Sequence, residues 1–236
     1  MHLEVPGDGK KVLLHCCCAP CSGAVVECLV QNGIRPALFF SNSNIVPFEE
    51  YEKRRGELVR YAQQFGLEVI DDEYDHGAWL DFVLERGIPG QAGNDDTGDG
   101  NDAKGDGDTS AVMPDLIGHL EAEPERGARC LNCFKFRLMR AAQYAAAHGY
   151  DTLTTTLASS RWKSLEQVDE AGRWAFGEMP DQVGHDEREV GHDVLWWGQN
   201  WRKGGLQPRR AEIIREQCFY NQTYCGCEFS ERHDKE

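Results

Sequence analysis

An α/β fold, with a mostly parallel sheet covered by helices on both faces, follows from three observations. Short apolar or β-branched runs alternate with stretches of helical periodicity along most of the chain. Apolar residues make up 40% of 236 residues, enough for the core of one large domain, residues 1–236, carrying an insertion. The first apolar run leads straight into a dense cysteine segment, at the place where open α/β sheets bind their ligands.

The elements can be taken in order. Val12–His15 is a short buried strand bounded by polar residues. Ser22 is placed to cap a helix running to about Asn32, with Ala24, Val25, Cys28 and Leu29 on one face and Gly33 as its stop. Cys28 on that apolar face reads as a structural thiol. Pro36–Phe40 is the second strand, and Ser41–Phe48 a loop rich in turn residues. Glu49–Phe65 is an amphipathic helix ended by Gly66, followed by strand Leu67–Ile70. Ala78–Arg86 is a short helix stopped by Gly87 and Pro89. Cys130–His148 is a long helix, and Asp151–Leu157, rich in threonine, the fourth strand. Ser164–Phe176 is helical, with Ser164 and Gln167 in a capping-box arrangement. Residues 177–192 are polar and unassigned. Val194–Trp197 is the fifth strand, and Leu206–Gln217 a basic helix before the cysteine-bearing tail.

Residues 90–110 stand apart, with six Asp, six Gly and one Lys. Such a segment buries too little apolar surface to offset its ordering entropy and reads as a solvated, disordered insertion. Its aspartates do not follow the calcium-loop pattern with its fixed glycine and closing glutamate. It carries −5 of the net −15, leaving −10 for the rest. A general polyanion-binding surface is not expected on so acidic a chain, so any nucleic-acid contact needs a local basic patch.

No apolar run approaches the ~20 residues that span a membrane, and the first residues lack a signal-peptide core. A cytoplasmic location is expected, with no membrane contact. Ten cysteines in a reducing compartment point to metal or redox chemistry rather than disulfides. They fall into groups: Cys16, Cys17, Cys18 and Cys21, then Cys130 and Cys133, then Cys225 and Cys227.

Several chemistries fit parts of this set. Cys18-Ala-Pro-Cys21 after a strand and before a helix suits a thioredoxin-like thiol oxidoreductase, but leaves the other groups without a role. Cys130/Cys133 with Cys225/Cys227 suits structural zinc, as in a zinc-stabilised tRNA-binding protein, although zinc knuckles usually occupy small loop-rich folds. A zinc deaminase needs a Pro-Cys-x-x-Cys that is absent here. An iron–sulfur cluster uses more of the thiols: four thiolates with at least one Cys-x-x-Cys pair. Cys130 and Cys133 at a helix start would place backbone N–H groups and the Arg129, Lys135 and Arg137 charges beside it. No Gly-x-Gly-x-x-Gly or Walker A segment indicates a nucleotide cofactor.

With these motifs in hand, the chain resembles the cobalamin-independent epoxyqueuosine reductases of the QueH type. The resemblance is carried by Leu-Leu-His-x-Cys-Cys-Ala-Pro-Cys at 13–21, Ser-Asn-Ile-x-Pro-x-x-Glu-Tyr at 43–51 and Arg-Cys-x-x-Cys-x-x-x-Arg-Leu at 129–138. Thr154-Thr-Thr-Leu157, Asn200-Trp-Arg-Lys-Gly-Gly205 and Tyr220-Asn-Gln-x-Tyr-Cys-Gly-Cys-Glu-Phe-Ser230 follow. It covers most of the chain outside residues 90–122. It implies a Rossmann-like domain whose cysteine-rich loops hold a [4Fe–4S] cluster and reduce epoxyqueuosine to queuosine at the wobble position of tRNA. By position it implies Cys17, Cys18, Cys130 and Cys133 as cluster ligands and Cys225/Cys227 as a redox-active catalytic pair. Some relatives hold one additional iron ion, using an early cysteine, a tail cysteine and the residue at the place of Cys21. Cys16, Cys218 and the acidic insertion are departures without an assigned role.

Converting an epoxide to an alkene takes two electrons and two protons and releases water. A cluster passes single electrons, so the Cys225/Cys227 dithiol or a neighbouring iron would be the second store, fed by an electron donor the sequence does not identify. A Lewis-acidic metal would also polarise the epoxide oxygen. His15, Tyr220 and Tyr224 are the candidate proton donors. Trp196, Trp197 and Trp201 are available to screen the site, with core packing as the plainer reading of the first two. For tRNA, the basic run containing Arg202, Lys203, Arg209 and Arg210 is the expected landing patch, with Gly204 and Gly205 opening backbone N–H groups to phosphate. Lys53-Arg-Arg55 is offset by neighbouring glutamates.

Overall fold

The structure, a computed structural model, describes residues 1–7, 11–87, 123–177 and 194–230. The acidic insertion expected at 90–110 lies outside these residues, as does nearly all of 177–192.

Five parallel strands form one sheet in the order β3-β2-β1-β4-β5: β1 Val12–His15, β2 Ala37–Phe40, β3 Val69–Asp71, β4 Thr152–Thr155 and β5 Leu195–Trp196. Leu13 lies between Ala37 and Leu153, which fixes the central register. Every residue of β1 and β4 is buried, so both faces of the sheet centre are covered, as parallel sheets require. The helices are α1 Ala19–Gln31, α2 Phe48–Gln64, α3 His76–Gly87, α4 Ala128–Ala147, α5 Leu165–Gly177 and α6 Leu206–Glu216. They pack in two groups, α1 with α2 and α6, and α4 with α3 and α5. The expected fold class is therefore the observed one.

Strand order reverses direction of growth between β1 and β4. The crevice outside their carboxyl ends is the usual ligand site of such sheets. Two boundary shifts matter there. The first helix starts at Ala19 rather than at Ser22, with Cys18 as its extended N-cap residue. Pro20 explains the shift: a first-turn proline needs no N–H acceptor and is preset for helix. The Ser22 hydroxyl instead donates back to the Cys18 carbonyl at 2.8 Å. The fourth strand ends at Thr155, and Thr156–Ser159 turn into a 3₁₀ helix capped by the Thr155 hydroxyl, which accepts from Leu157 N–H at 3.1 Å. Threonine favours strands, but its side chain can also take a backbone N–H and stop one.

The capping box at Ser164 is half formed. Gln167 N–H donates to Ser164 Oγ at 3.3 Å, while the Gln167 amide crosses to the carbonyls of Arg126 and Gly127 at 2.8 and 3.2 Å. This ties α5 to the start of α4. The tryptophans at 196, 197 and 201 belong to packing rather than to the crevice. Trp201 is fully buried with its indole N–H on Thr154 Oγ1 at 3.3 Å, and its ring meets Trp197 edge-on at 5.3 Å.

Candidate metal centre

A cavity of about 760 Å³ opens at the carboxyl edge of the sheet. Three segments of the chain bring thiols to it: Cys17, Cys18 and Cys21 from the β1–α1 corner, Cys130 and Cys133 from the start of α4, and Cys225 and Cys227 from the tail. All ten cysteines are free thiols. Cys16, Cys28 and Cys218 do not line the cavity.

The first group is tightly built. The sulfurs of Cys17, Cys18 and Cys21 lie within 4.8 Å of one another, and among the described residues this is the group of Cys, His or acidic side chains that could hold a metal ion. Cys17 and Cys18 are adjacent in sequence yet place their sulfurs 3.9 Å apart, because the chain has left the strand and its sides no longer alternate. Cys17 N–H donates to Thr156 Oγ1 at 3.1 Å, and Gln222 Nε2 donates to Cys18 Sγ at 2.9 Å. Hydrogen bonds from the Cys17 and Cys18 thiols hold Cys21 well below the ordinary thiol range, with Arg210 and Lys163 adding to the effect. Contacts with the Cys17 and then the Cys21 thiol push Cys18 well above it. One of the three is thus favoured as a thiolate.

The second group is spread over two elements. Cys133 is buried on α4, while Cys130 is half-buried and its sulfur accepts from Arg126 N–H at 3.3 Å. Burial pushes Cys130 up to about 11 and raises Cys133 as well. Burial also raises Cys227, with Cys225 and Cys133 adding. The tail is fastened to the loop after β2. Val46 N–H donates to the Gly226 carbonyl at 2.9 Å, and Arg54 donates to the Cys225 carbonyl at 2.6 Å. Gly226 has φ +123°, and a Cβ there would lie 2.9 Å from Ile45 and 3.0 Å from Arg54, so glycine is required between the two tail cysteines.

The cavity is strongly cationic on an acidic protein. Arg54, Arg129, Arg137 and Lys163 face it, joined by Arg126, Arg161 and Arg210, against one carboxylate, Glu125, among the described residues. Arg137 is 2% exposed; it donates to the Ser41 carbonyl at 3.3 Å and to Asn42 Oδ1. Burial works against the Lys163 charge, but Cys225, Cys17 and Cys21 outweigh it and hold the ammonium above the ordinary lysine range. Fixed cations of this kind suit a centre of several thiolates, whose summed charge would otherwise be costly to bury.

The other expected site residues separate clearly. His15 is fully buried beneath the site. Its Nδ1 lies 2.7 Å from Thr155 Oγ1 and its Nε2 3.1 Å from the Ser41 carbonyl. A carbonyl only accepts, so Nε2 carries the hydrogen and Nδ1 accepts from the hydroxyl. Burial, then Arg137, lower its pKa to about 3, so it is a neutral strut between β1, β2 and β4. Tyr224 lines the cavity and Tyr220 does not; the Lys53 ammonium sits 3.3 Å above the Tyr220 ring. Of the basic run, Arg202 donates to the carbonyls of Ser160 and Lys163, and Arg209 pairs with Glu27 at 2.7 Å, Glu216 at 2.9 Å and Glu212 at 3.1 Å. Lys203 is exposed, and Arg210 faces the cavity. Exposed Trp162 stands at the rim beside Arg161.

Sequence reasoning missed Asn44, Lys163 and Gln222 as site residues. Asn44 and Lys163 share one signal: each follows a strand's carboxyl end, in the loops after β2 and β4. Gln222, in the tail, carried none.

Among the described residues, no helix is long and apolar enough to cross a membrane. A sequence model of the family described as "Epoxyqueuosine reductase QueH" matches residues 12–92 and 110–233. The chain is 38% identical over 230 residues to the epoxyqueuosine reductase QueH of Haemophilus influenzae, covering 98% of this chain and 75% of the relative. Against the protein of that name from Acinetobacter baylyi the identity is 37% over 230 residues, 98% of this chain and 84% of the relative. Against that of Thermotoga maritima it is 30% over 230 residues, 95% and 93% respectively.

Proposed function

The chain belongs to the epoxyqueuosine reductase QueH family, and on that premise we propose that it reduces epoxyqueuosine to queuosine at the wobble position of tRNA. The observation that supports this best is the convergence of three thiol groups on one cationic cavity at the sheet's carboxyl edge.

The residues fit an iron–sulfur centre in the chemistry of their donor set. Seven thiols face one space, more than a structural zinc site takes, and buried arginines offset their charge. Cys17, Cys18, Cys130 and Cys133 would hold a [4Fe–4S] cluster. Cys21, with one early and one tail cysteine, would hold one additional iron ion, the early and tail cysteines then exchanging roles between the two centres; with the cluster alone, Cys225 and Cys227 would act together as the dithiol. When bound, such a centre supplies single-electron transfer and a Lewis acid.

The protein's own part is positioning. Thr156 and Gln222 orient Cys17 and Cys18. Lys163 keeps a positive charge opposite Cys17, Cys21 and Cys225, where negative charge would accumulate. Arg54 anchors the tail thiols over the cavity. Tyr224, at the lining, is the candidate proton donor that remains after His15 and Tyr220 are placed away from it. The two electrons come from an external reductant. The anticodon loop of tRNA would approach the rim, where Trp162 offers a stacking face and Arg161 and Arg210 offer charge.

The test is anaerobic turnover. Iron-loaded protein with a low-potential reductant and tRNA carrying epoxyqueuosine should yield queuosine in nucleoside digests, with loss of one oxygen. Iron-loaded protein that leaves epoxyqueuosine intact under those conditions contradicts the reading.

A further inference from the structure

The loop after β2, Ser41 to Pro47, is packed with polar side chains that are almost all paired. Ser41 Oγ donates to Asp72 at 2.7 Å. Asn42 Nδ2 donates to the Cys16 carbonyl at 2.9 Å while its oxygen accepts from Arg137. Ser43 Oγ accepts from Asp75 N–H at 3.1 Å. Asn44 is the exception. It is 1% exposed, it lines the cavity, and neither its Nδ2 nor its Oδ1 has a hydrogen-bond partner.

An amide buried without partners gives up the hydrogen bonds that water would make to it, so its burial is costly unless something else supplies them. The loop is not slack enough to have let Asn44 drift there. Val46 N–H is held by Gly226, and the Ile45 carbonyl by the Tyr74 hydroxyl at 2.8 Å. The backbone beside Asn44 is therefore held in place, and its side chain lines the cavity with a donor and an acceptor that no protein group takes.

We propose that Asn44 is a substrate-binding residue whose Nδ2–H donates to the epoxide oxygen. This rests on the reading of the chain as an epoxyqueuosine reductase. An epoxide oxygen has lone pairs and no hydrogen, so it calls for a donor. Of the cavity's charged donors, Arg54 and Arg137 are already bound to neighbouring carbonyls and side chains, and Lys163 faces the thiols. A neutral amide has a further advantage. It cannot hand over its proton, so it orients the ring without opening it by acid catalysis, which would give a diol instead of an alkene. Asn44 thus selects the epoxide and holds it beside the thiol-lined space.

The experiment compares binding of two tRNAs to iron-loaded, full-length protein without reductant: one carrying epoxyqueuosine, the other queuosine, which lacks only the epoxide oxygen. Wild type should prefer the first by about tenfold, the worth of one hydrogen bond in a desolvated site. Asn44→Ala and Asn44→Asp should both lose that preference, since aspartate keeps the size and the acceptor but not the donor. Both should retain wild-type affinity for queuosine tRNA and wild-type iron content. A preference retained in both variants overturns the proposal. Loss of iron in both also overturns it, because Asn44 would then serve the metal centre. Wild type that neither prefers nor reduces the epoxyqueuosine tRNA would instead sink the functional reading, and this inference with it.

Discussion

The two halves of the thiol site, the β1–α1 corner on one side and the α4 and tail cysteines on the other, are built in different ways. Cys17, Cys18 and Cys21 sit on a three-residue corner and the first turn of α1, between the central strand and a helix. Their sulfurs are brought within 4.8 Å by local chain geometry. Cys130 and Cys133 depend on how α4 packs, and Cys225 and Cys227 on a tail held by a few hydrogen bonds. The first half of the site is made by the sheet; the second is completed by long-range docking. The early group should therefore be set as soon as the domain folds, while the tail thiols are the part that can be lost without unfolding it.

The largest expected effect breaks both halves alike. Cys17→Ser or Cys130→Ser should abolish the visible absorbance of the iron-loaded protein and its activity, since each removes one proposed ligand from a four-thiolate set. Absorbance and turnover that survive either change would show that the halves do not share a cluster.

Arg54→Met separates them. Arg54 is 3% exposed, pairs with Glu50 at 2.7 Å and holds the Cys225 carbonyl. Losing it leaves Glu50 nearly buried and uncompensated and frees the tail, a cost of about 3–5 kcal/mol. Denaturant unfolding should show that loss, and activity should fall more than cluster content. Equal falls in both would mean that the tail is no more separable than the corner.

Thr156→Val probes the corner. It removes the acceptor for Cys17 N–H without changing shape, at about 1–2 kcal/mol in unfolding measurements. Iron content should drop modestly, because the strand and helix still fix the loop's path. The smallest effect is expected from Cys218→Ser. That thiol is exposed and away from the cavity, so stability should move by less than about 0.5 kcal/mol and iron content not at all.

The contrast also explains what the sequence made legible. Strand and helix order could be read from Val12–His15, Pro36–Phe40 and the glycines that follow the helices, because burial and chain reversal leave periodic or positional marks. Gly33, Gly66 and Gly149 indeed have φ of +77°, +60° and +66°. Helix α1 starts before Ser22, a good cap residue, because Pro20 sets the first turn. The cysteines announced the cavity by their number. The cations were harder. Arg202 and Arg209 stand in a basic run, but their partners within the chain, the Ser160 carbonyl and Glu27, are far away in sequence and leave no local mark. Asn44 and Lys163 carry only a positional mark, each following a strand's carboxyl end; burial and neighbours give that mark its meaning.

The most direct test of the central claim, that the two halves meet in one iron–sulfur centre, is iron and sulfide analysis of protein purified without oxygen. The account predicts about four sulfides per chain with about four to five irons, the fifth belonging to the additional ion near Cys21. Zinc alone, or full epoxyqueuosine reduction by metal-free protein, would contradict it.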